Sequence, residues 1–330
     1  MISIVIPAYN NLESVRNLIR SIYRQFDSTK GEAIVVDDGS QSCNMNALKS
    51  EFPELKVIRL EKNKGAASAR NEGVKNALYD IIFFLDSDME LCDNAIDEIV
   101  KAMSNNKVEA VVGTFKDTPL NRSLFTDYWA LLKSYFHSLP TEYSSTFYPA
   151  VGVIRKKVFQ DVGGFEGKIR GASVEDYEIS IRLSKKGHRV LFNPDIMVGV
   201  NYKDFFTNTM QSISRSKKWG ILFLGRPRFD NHTTTLSQGV ANILGFFIFL
   251  LIFCSFFSAL FFIPAGLAFI LFLYINRGFF KYVFKRRGLV FMFITVILYL
   301  VSSFFITIGF LKGASYIFRN EESRRRALYA

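Results

Sequence analysis

Hydrophobic and polar residues follow two different patterns along this chain. In the first two hundred residues, short β-branched runs end at turn-forming residues and are separated by stretches with helical periodicity. The runs are Ser3 to Pro7, Ala33 to Val36, Lys56 to Leu60 and Asp80 to Leu85. This alternation of strands and helices predicts an α/β fold with a mainly parallel sheet and right-handed crossovers.

The last third of the chain has a different pattern, since no Lys, Arg, Asp or Glu occurs between Asp230 and Arg277. The apolar run at 239–275 would be about 56 Å long as one helix, whereas a bilayer core is about 30 Å thick. Pro264 interrupts the run but suits the first turn of a new helix. We therefore predict a hairpin of two membrane spans, near 240–261 and 264–284.

A second uncharged run, Gly288 to Leu311, is long enough for a third span. Between two and four spans fit the sequence, and we favour three. The predicted organisation is a catalytic domain at 1–204, an amphipathic interfacial segment at 205–237 and a transmembrane region with a basic tail at 238–330.

The distribution of charge supports this division. The chain carries a net charge of +11, and residues 238–330 contain 19 of the 34 Phe, 10 Lys and Arg, and 2 acidic residues. Fibrous and disordered classes and a purely soluble monomer are excluded. Nucleic acid is not an expected partner, because the basic residues lie in and beside the apolar segments, where anionic lipid is nearer.

The chain starts directly on an apolar strand, without the basic and long apolar segments of a signal peptide. Cys43, Cys92 and Cys254 form no metal-type pair and no even disulfide set, as is usual in a reducing compartment. We therefore expect an integral protein of the plasma membrane with its catalytic domain in the cytosol.

Polar and small residues follow the predicted strands at their carboxyl ends, where α/β sheets bind ligands. These residues are Ala8, Tyr9 and Asn10 after the first strand, Asp37 to Ser40 after the second, and Asp86, Ser87 and Asp88 after the fourth. Two carboxylates one residue apart can bind Mg²⁺ or Mn²⁺ together with phosphate oxygens. Each motif alone is also typical of an ordinary turn or a tightly packed helix start.

The order and spacing of the motifs are more specific than any one of them. They are Ile4 to Asn10, Val35 to Ser40, Asn63 to Gly73, Phe84 to Asp88, and Gly163 to Glu166 followed by Glu175 to Glu178. Over residues 1–220 this pattern resembles glycosyltransferase family 2, whose members have a GT-A fold and transfer sugars from nucleotide-sugar donors with inversion.

The resemblance implies a role for individual residues. It implies donor or nucleotide binding by Pro7, Ala8, Tyr9, Asp37, Asp38, Gly65, Arg70, Asp86 and Ser87. It implies that Asp88, assisted by Asp86, holds the Mg²⁺ or Mn²⁺. It also implies that Asp176, with Glu175 beside it, is the catalytic base, and the spacing after Asp176 predicts that it stands at a helix N-terminus.

On the acceptor side the resemblance implies contacts from Gly164, Phe165, Lys218 and Trp219. Some membrane members carry Gln-x-x-Arg-Trp on an interfacial helix, where this chain has Arg215 to Trp219 with Arg and Lys in place of Gln and Arg. A basic anchor without catalytic contact explains this segment as well. The departure weakens the case for long-chain, processive synthesis.

Together with the resemblance, these features predict an inverting transferase. It would move a sugar from a UDP-sugar donor to polyprenyl phosphate or a lipid-bound glycan. Membrane lipid is a further expected partner, and a homo-oligomer is possible. A processive polysaccharide synthase is the enzymatic alternative. A catalytically inactive membrane scaffold is the alternative from another class.

Overall fold

The computed structural model describes residues 1–27, 29–139, 141–167, 174–225 and 235–318. The described residues form two compact units. The first comprises residues 1–121 and 137–202, and the second comprises residues 122–136 and those from 203 onwards.

The first unit is built on one mixed sheet. Its strands are β1 (Ile2–Ala8), β2 (Gly31–Asp37), β3 (Lys56–Arg59), β4 (Ile81–Leu85), β5 (Met89–Leu91), β6 (Ala110–Phe115), β7 (Tyr143–Ser144), β8 (Val151–Arg155) and β9 (Val190–Val200). The strand order is β3-β2-β1-β4-β8-β6-β9-β5, with β7 also paired to β9. Strands β1 to β4 are parallel neighbours, and β8 pairs antiparallel with both β4 and β6.

The helices divide between the two units. They are α1 (Leu12–Tyr23), α2 (Ala66–Lys75), α3 (Ala95–Ser104), α4 (Leu124–His137), α5 (Lys156–Asp161), α6 (Glu175–Lys185), α7 (Phe205–Gly225), α8 (Leu236–Ser255), α9 (Phe262–Ile275) and α10 (Arg277–Ala314). Short 3₁₀ turns lie at Met45–Ser50, Ala259–Phe261 and Ser315–Phe318. Helices α7 to α10 belong to the second unit, as does α4 up to Phe136.

All four strands predicted from the sequence are present, and the predicted α/β fold is confirmed. Every residue of β1 is buried, as expected for a parallel strand covered by helices on both faces. Helix α1 packs its apolar stripe into the same core through Val15, Leu18, Ile19 and Ile22. The carboxyl ends of β1, β2 and β4 therefore meet at one edge of a rigid sheet.

In the second unit, the helix bounds differ from the predicted spans. Helix α8 starts at a capping box made by Thr235 and Gln238 and ends at Ser255, before the predicted limit at 261. Pro264 lies in the first turn of α9, as predicted. The predicted span at 264–284 is not one helix, because α9 ends at the buried Asn276, whose side-chain amide donates to the Phe272 carbonyl.

Helix α10 is kinked at Gly288, where φ is 81°. Glycine adopts this positive φ at little energetic cost. The kink separates the basic first part of α10 from its apolar second part. By length and composition, two described helices, α8 and α10, could cross a membrane. The predicted interfacial segment contains α7, while its residues 226–234 and the basic tail at 324–326 lie outside the described residues.

Candidate active site

The loops that follow β1 and β2 are tied together by Asn10, which has a left-handed φ of 53°. Its backbone N–H donates to Ser40 Oγ at 2.9 Å. Its side-chain oxygen accepts the N–H groups of Gln41 and Ser42 at 2.9 and 3.0 Å. These three hydrogen bonds therefore fix the conformation of the two loops at the edge of the sheet where the nucleotide is predicted to bind.

Three donor-side residues predicted in this region differ in accessibility. Pro7 and Ala8 are buried within β1, and the Ala8 carbonyl accepts the Asp38 N–H at 2.8 Å. Tyr9 is 42% exposed. Of these three, Tyr9 therefore has the side chain that a ligand can reach.

Asp37 and Asp38 are both buried, and each already accepts hydrogen bonds. Asp37 Oδ1 accepts the Ser40 N–H at 2.8 Å, and its Oδ2 lies 3.2 Å from Arg59 Nη1. The two oxygens of Asp38 accept the N–H groups of Lys64 and Gly65, both at 2.8 Å. Asp38 therefore fixes the start of α2.

The pKa of Asp38 is raised, mainly because burial disfavours the charged carboxylate, although the two backbone hydrogen bonds oppose this shift. Gly65 precedes α2 with a φ of 90°, which orients its N–H toward this carboxylate. Asp38 and Gly65, both predicted to contact the donor, are thus brought together by the fold.

Arg70 lies on α2 and connects two acidic motifs that are far apart in the sequence. Its guanidinium is buried and lies 2.5 Å from Asp86 Oδ1 through Nη2 and 3.3 Å from Glu175 Oε1 through Nη1. Burial alone would lower the pKa of Arg70, but the charges of the two carboxylates raise it. Arg70 therefore bridges the loop after β4 and the start of α6, and its place near the base or diphosphate stays a prediction.

The loop between β4 and β5 carries the predicted metal ligands. Ser87 Oγ accepts a hydrogen bond from the Asn11 side-chain amide. The Asp88 carbonyl accepts the Asn201 N–H at 2.8 Å. Asp88 also lines a cleft of about 170 Å³, together with Ser14, Asn17, Met89, Glu90, Leu120, Asn121 and Asn201.

The pKa of Tyr202 is raised, mainly because its hydroxyl is buried and to a smaller extent because the negative charge of Asp88 is near. Among the described residues, no group of three or more His, Cys, Asp or Glu side chains could hold a metal ion. Mg²⁺ in enzymes that bind phosphates usually takes only one or two carboxylates, with water and phosphate completing its octahedron. The half-buried Asp88 fits that requirement, whereas Asp86 already pairs with Arg70.

Asp176 is the second residue of α6, which confirms the predicted helix start. Its Oδ1 accepts the N–H of Tyr177 at 2.9 Å, and the helix dipole favours its ionised form. Glu175, the first residue of α6, is buried and pairs with Arg70. The segment just before α6, at 168–173, lies outside the described residues.

Gly164 and Phe165, predicted on the acceptor side, are buried. The Phe165 ring packs against Phe84, with ring centroids 5.3 Å apart, and lies 5.6 Å from the Arg70 guanidinium. Asn71 holds this segment, because its side chain donates to the Phe165 carbonyl at 2.8 Å and accepts the Phe165 N–H at 2.9 Å. The buried Phe165 ring therefore packs between Phe84 and the Arg70 guanidinium, and an acceptor-side role for this segment stays a prediction.

Lys218 and Trp219 lie on α7 in the second unit. Trp219 stacks on Phe223 with ring centroids 4.7 Å apart and contacts Phe310 of α10 at 5.7 Å. Lys218 is buried. Both residues are thus part of the packing of the second unit.

Sequence reasoning missed the two asparagines that hold the site loops, Asn10 and Asn71. Both lie inside motifs that were recognised, at the end of the first block and directly after Arg70. Asparagine tolerates left-handed backbone and can donate and accept at once, which is the available signal for such a role.

Comparison with known proteins identifies the family. Residues 3–163 match the family model "Glycosyl transferase family 2". YfnE of Bacillus subtilis, an uncharacterized glycosyltransferase, is 36% identical over 116 residues, which are 34% of this chain and 29% of YfnE. The poly(ribitol-phosphate) β-N-acetylglucosaminyltransferase TarP of Staphylococcus aureus is 26% identical over 227 residues, which are 65% of this chain and 67% of TarP.

Among solved structures, the mannosyltransferase PcManGT of Pyrobaculum calidifontis, in complex with GDP-Man and Mn²⁺, has a TM-score of 0.57. It is 15% identical, and the match covers 94% of this chain and 86% of PcManGT, so the likeness concerns the fold. The predicted GT-A architecture is confirmed by this likeness together with the mixed sheet. Residues 3–163 of this chain therefore form a glycosyl transferase family 2 domain.

Proposed function

We propose that this protein is a membrane-anchored, inverting, metal-dependent glycosyltransferase that moves a sugar from a UDP-linked donor to a lipid-linked acceptor. Polyprenyl phosphate and a lipid-bound glycan are the proposed acceptors. Family membership supports the transfer of a sugar from a nucleotide.

The observation that carries the proposal is the ion pair of Arg70 with Asp86 and Glu175. It joins the Asp86-Ser87-Asp88 loop, proposed to bind the diphosphate and its cation, to the helix start that presents Asp176. Inversion by single displacement requires the leaving group and the base on opposite faces of the sugar. A rigid link between the two acidic motifs would keep that spacing constant.

On the donor side, we assign the exposed ring of Tyr9 to the nucleobase. Asp38, with its neighbours Asp37 and Gly65, would shape the base pocket through the loop before α2 rather than present a free carboxylate. Asp88 would hold Mg²⁺ or Mn²⁺, which neutralises charge on the departing diphosphate when it is bound.

In the proposed reaction, Asp176 accepts the proton of the acceptor hydroxyl as that oxygen forms its bond to the anomeric carbon. The bond from the same carbon to the diphosphate oxygen breaks, and the nucleoside diphosphate leaves with the electron pair. Asp176 stands in the first turn of α6, where the helix dipole stabilises a negative charge. For a phosphate acceptor, which is already an anion, the base would contribute less.

The apolar helices of the second unit support a lipid-linked acceptor. Helices α8 and α10 are long and apolar enough to span a membrane. Large hydrophobic side chains such as Phe253, Phe256 and Phe293 are more than half exposed, as is usual for lipid-facing surfaces. TarP is named for a poly(ribitol-phosphate) acceptor, which keeps a glycan acceptor open here.

The decisive experiment incubates the purified full chain and a lipid extract with a panel of nucleotide sugars and Mg²⁺ or Mn²⁺, and detects products by mass spectrometry. We expect one sugar per acceptor. A ladder of products would favour the processive synthase, and failure to turn over any donor would favour the inactive scaffold.

Two variants test the assigned roles. We expect Asp176→Asn to lower kcat by about 10²–10⁴-fold with a hydroxyl acceptor, the usual contribution of a positioned base. We expect Asp88→Ala to lose donor turnover and its response to Mn²⁺ titration. The matched control is Asp97→Asn on α3, whose carboxylate is exposed and faces Lys30 at 3.4 Å. Full activity of either site variant would refute its assignment.

A further inference from the structure

Helices α7 and α10 approach each other closely through two glycines of α10. A Cβ atom added at Gly309 would lie 2.5 Å from the Ile213 carbonyl oxygen, and one added at Gly313 would lie 2.1 Å from the Lys217 carbonyl oxygen. Glycines four residues apart allow such contact between helix backbones, as in many helix pairs in membranes. This close approach brings Lys312, which precedes Gly313, and Lys217 of α7 to the same rim of the helix pair.

A cleft of about 490 Å³ opens at this rim. It is lined by Met210, Ile213, Ser214 and Lys217 of α7 and by Lys312, Ser315 and Tyr316 at the end of α10. Apolar side chains form one part of the lining, and two ammonium groups with three hydroxyls form the other. This combination suits a ligand with an anionic head and an apolar tail.

The charge of the cleft is positive. Neither α7 nor α10 contains an Asp or Glu, so no acid on these two helices neutralises Lys217 or Lys312. Lys217 Nζ lies 5.5 Å from the Tyr316 ring centroid, which places its ammonium group on the side of α10. Lysine binds phosphate as a point charge, and neighbouring hydroxyls can donate to the remaining phosphate oxygens.

The position of the cleft along α10 matches the depth of lipid headgroups. Lys312 directly follows the uncharged run from 288 to 311. A lysine at the end of an apolar span extends its ammonium group toward the headgroups. Met210 on the facing helix is 54% exposed, although it lies beside this charged rim.

We propose that the cleft formed by α7 and α10 binds the phosphate headgroup of an anionic bilayer lipid, with Lys217 and Lys312 on the phosphate and Met210 and Ile213 along the acyl chains. This inference rests on the membrane anchoring proposed above. It gives α7 a lipid-binding face at Met210, Ile213 and Lys217.

The test measures phosphatidylglycerol binding to the detergent-purified full chain by native mass spectrometry, with phosphatidylcholine as the neutral comparison. We expect Lys217→Ala to weaken phosphatidylglycerol binding about fivefold and the double variant with Lys312→Ala about twenty-five-fold. The matched control is Lys281→Ala with Lys285→Ala, which removes two exposed lysines from the other end of the same helix. Inorganic phosphate is added in a separate arm to compete.

The outcomes separate this inference from the proposed function. Equal loss in the control pair, or unchanged binding in the Lys217/Lys312 pair, overturns the assigned site. Full competition by inorganic phosphate also overturns it, because the site would then bind a soluble anion. Extraction of the wild-type chain from membranes by alkaline carbonate would instead refute the anchoring itself.

Discussion

At the scale of single residues, Arg70 has the most demanding position in the site. It is buried, and its planar guanidinium forms one ion pair with Asp86 through Nη2 and another with Glu175 through Nη1. Arginine can hold two carboxylates in a fixed geometry, whereas lysine offers a single charged point. Arg70 is therefore a positioning residue for both acidic motifs.

We predict that Arg70→Lys lowers kcat by at least tenfold while the KM for the donor changes little, because the acids lose alignment but the base pocket near Tyr9 stays intact. Steady-state kinetics with varied donor separate the two constants. Arg182→Lys is the control, since Arg182 pairs with Glu178 on the same helix α6. A parallel rise in KM with unchanged kcat would instead make Arg70 a donor ligand.

Removing the Arg70 charge outright would take away the ion pair of the buried Glu175, and breaking a buried ion pair commonly costs about 3–5 kcal/mol. The double variant Arg70→Gln with Glu175→Gln removes both charges and keeps polar groups in their place. We expect this double variant to recover thermal stability relative to Arg70→Gln alone but not to recover kcat. Recovery of both would show that the bridge serves folding only.

Asp38 supports a prediction about stability. Its two oxygens accept the N–H groups of Lys64 and Gly65, so an asparagine there would turn its own NH₂ toward one of these donors. We predict that Asp38→Asn lowers the free energy of unfolding by about 1.5–3 kcal/mol, the range for losing a charged hydrogen bond. Denaturant titration measures this loss, and Asp97→Asn should stay within about 0.5 kcal/mol of the wild type.

At the scale of elements, the sequence predicted the first four strands because each is a buried apolar run closed by turn residues. It also placed the acids at the carboxyl ends of β2 and β4 correctly, since the end of a strand is a local feature of the sequence. It could not predict that Arg70 meets Glu175, because 105 residues separate them and only the packed fold joins them. The end of α9 at Asn276 was missed because the apolar run continues up to Ile275 without a Gly or Pro there.

The contact between α7 and α10 gives a prediction for the second unit. We expect Gly313→Ala to lower the melting temperature of the detergent-purified protein, since the new Cβ would meet the Lys217 carbonyl and force the helices apart. Gly266→Ala in α9 is the matched control, because a Cβ there meets nothing within 4 Å. Alanine favours a helix by about 1 kcal/mol over glycine, so the control should be neutral or stabilised. Equal melting temperatures for both variants would contradict the tight packing.

At the scale of the whole molecule, the number of membrane spans decides whether the basic start of α10, from Arg277 to Arg287, or the basic tail at 324–326 faces the cytosol. Helix α8 has 20 residues and would be about 30 Å long, enough for one crossing, whereas the 14 residues of α9 would reach only about 21 Å. The part of α10 after Gly288 contains 289–314 and would be about 39 Å long, enough for a second crossing. These lengths favour two spans, with α9 and the basic start of α10 on one face, over the three favoured from the sequence.

Cysteine labelling distinguishes two spans from three. After Cys43, Cys92 and Cys254 are replaced by serine, single cysteines are introduced as Ser237→Cys, Lys285→Cys and Ser315→Cys, all at exposed positions. With two spans, an impermeant maleimide added to spheroplasts should label Lys285→Cys, whereas Ser237→Cys and Ser315→Cys should react only after permeabilisation. Labelling of Ser237→Cys and Ser315→Cys from opposite faces would require an odd number of crossings and would make α9 a span despite its length. If the catalytic domain lies in the cytosol, as proposed, the two-span arrangement also places Lys312 on the cytosolic face, where anionic lipid headgroups and the proposed nucleotide-sugar donor are both present.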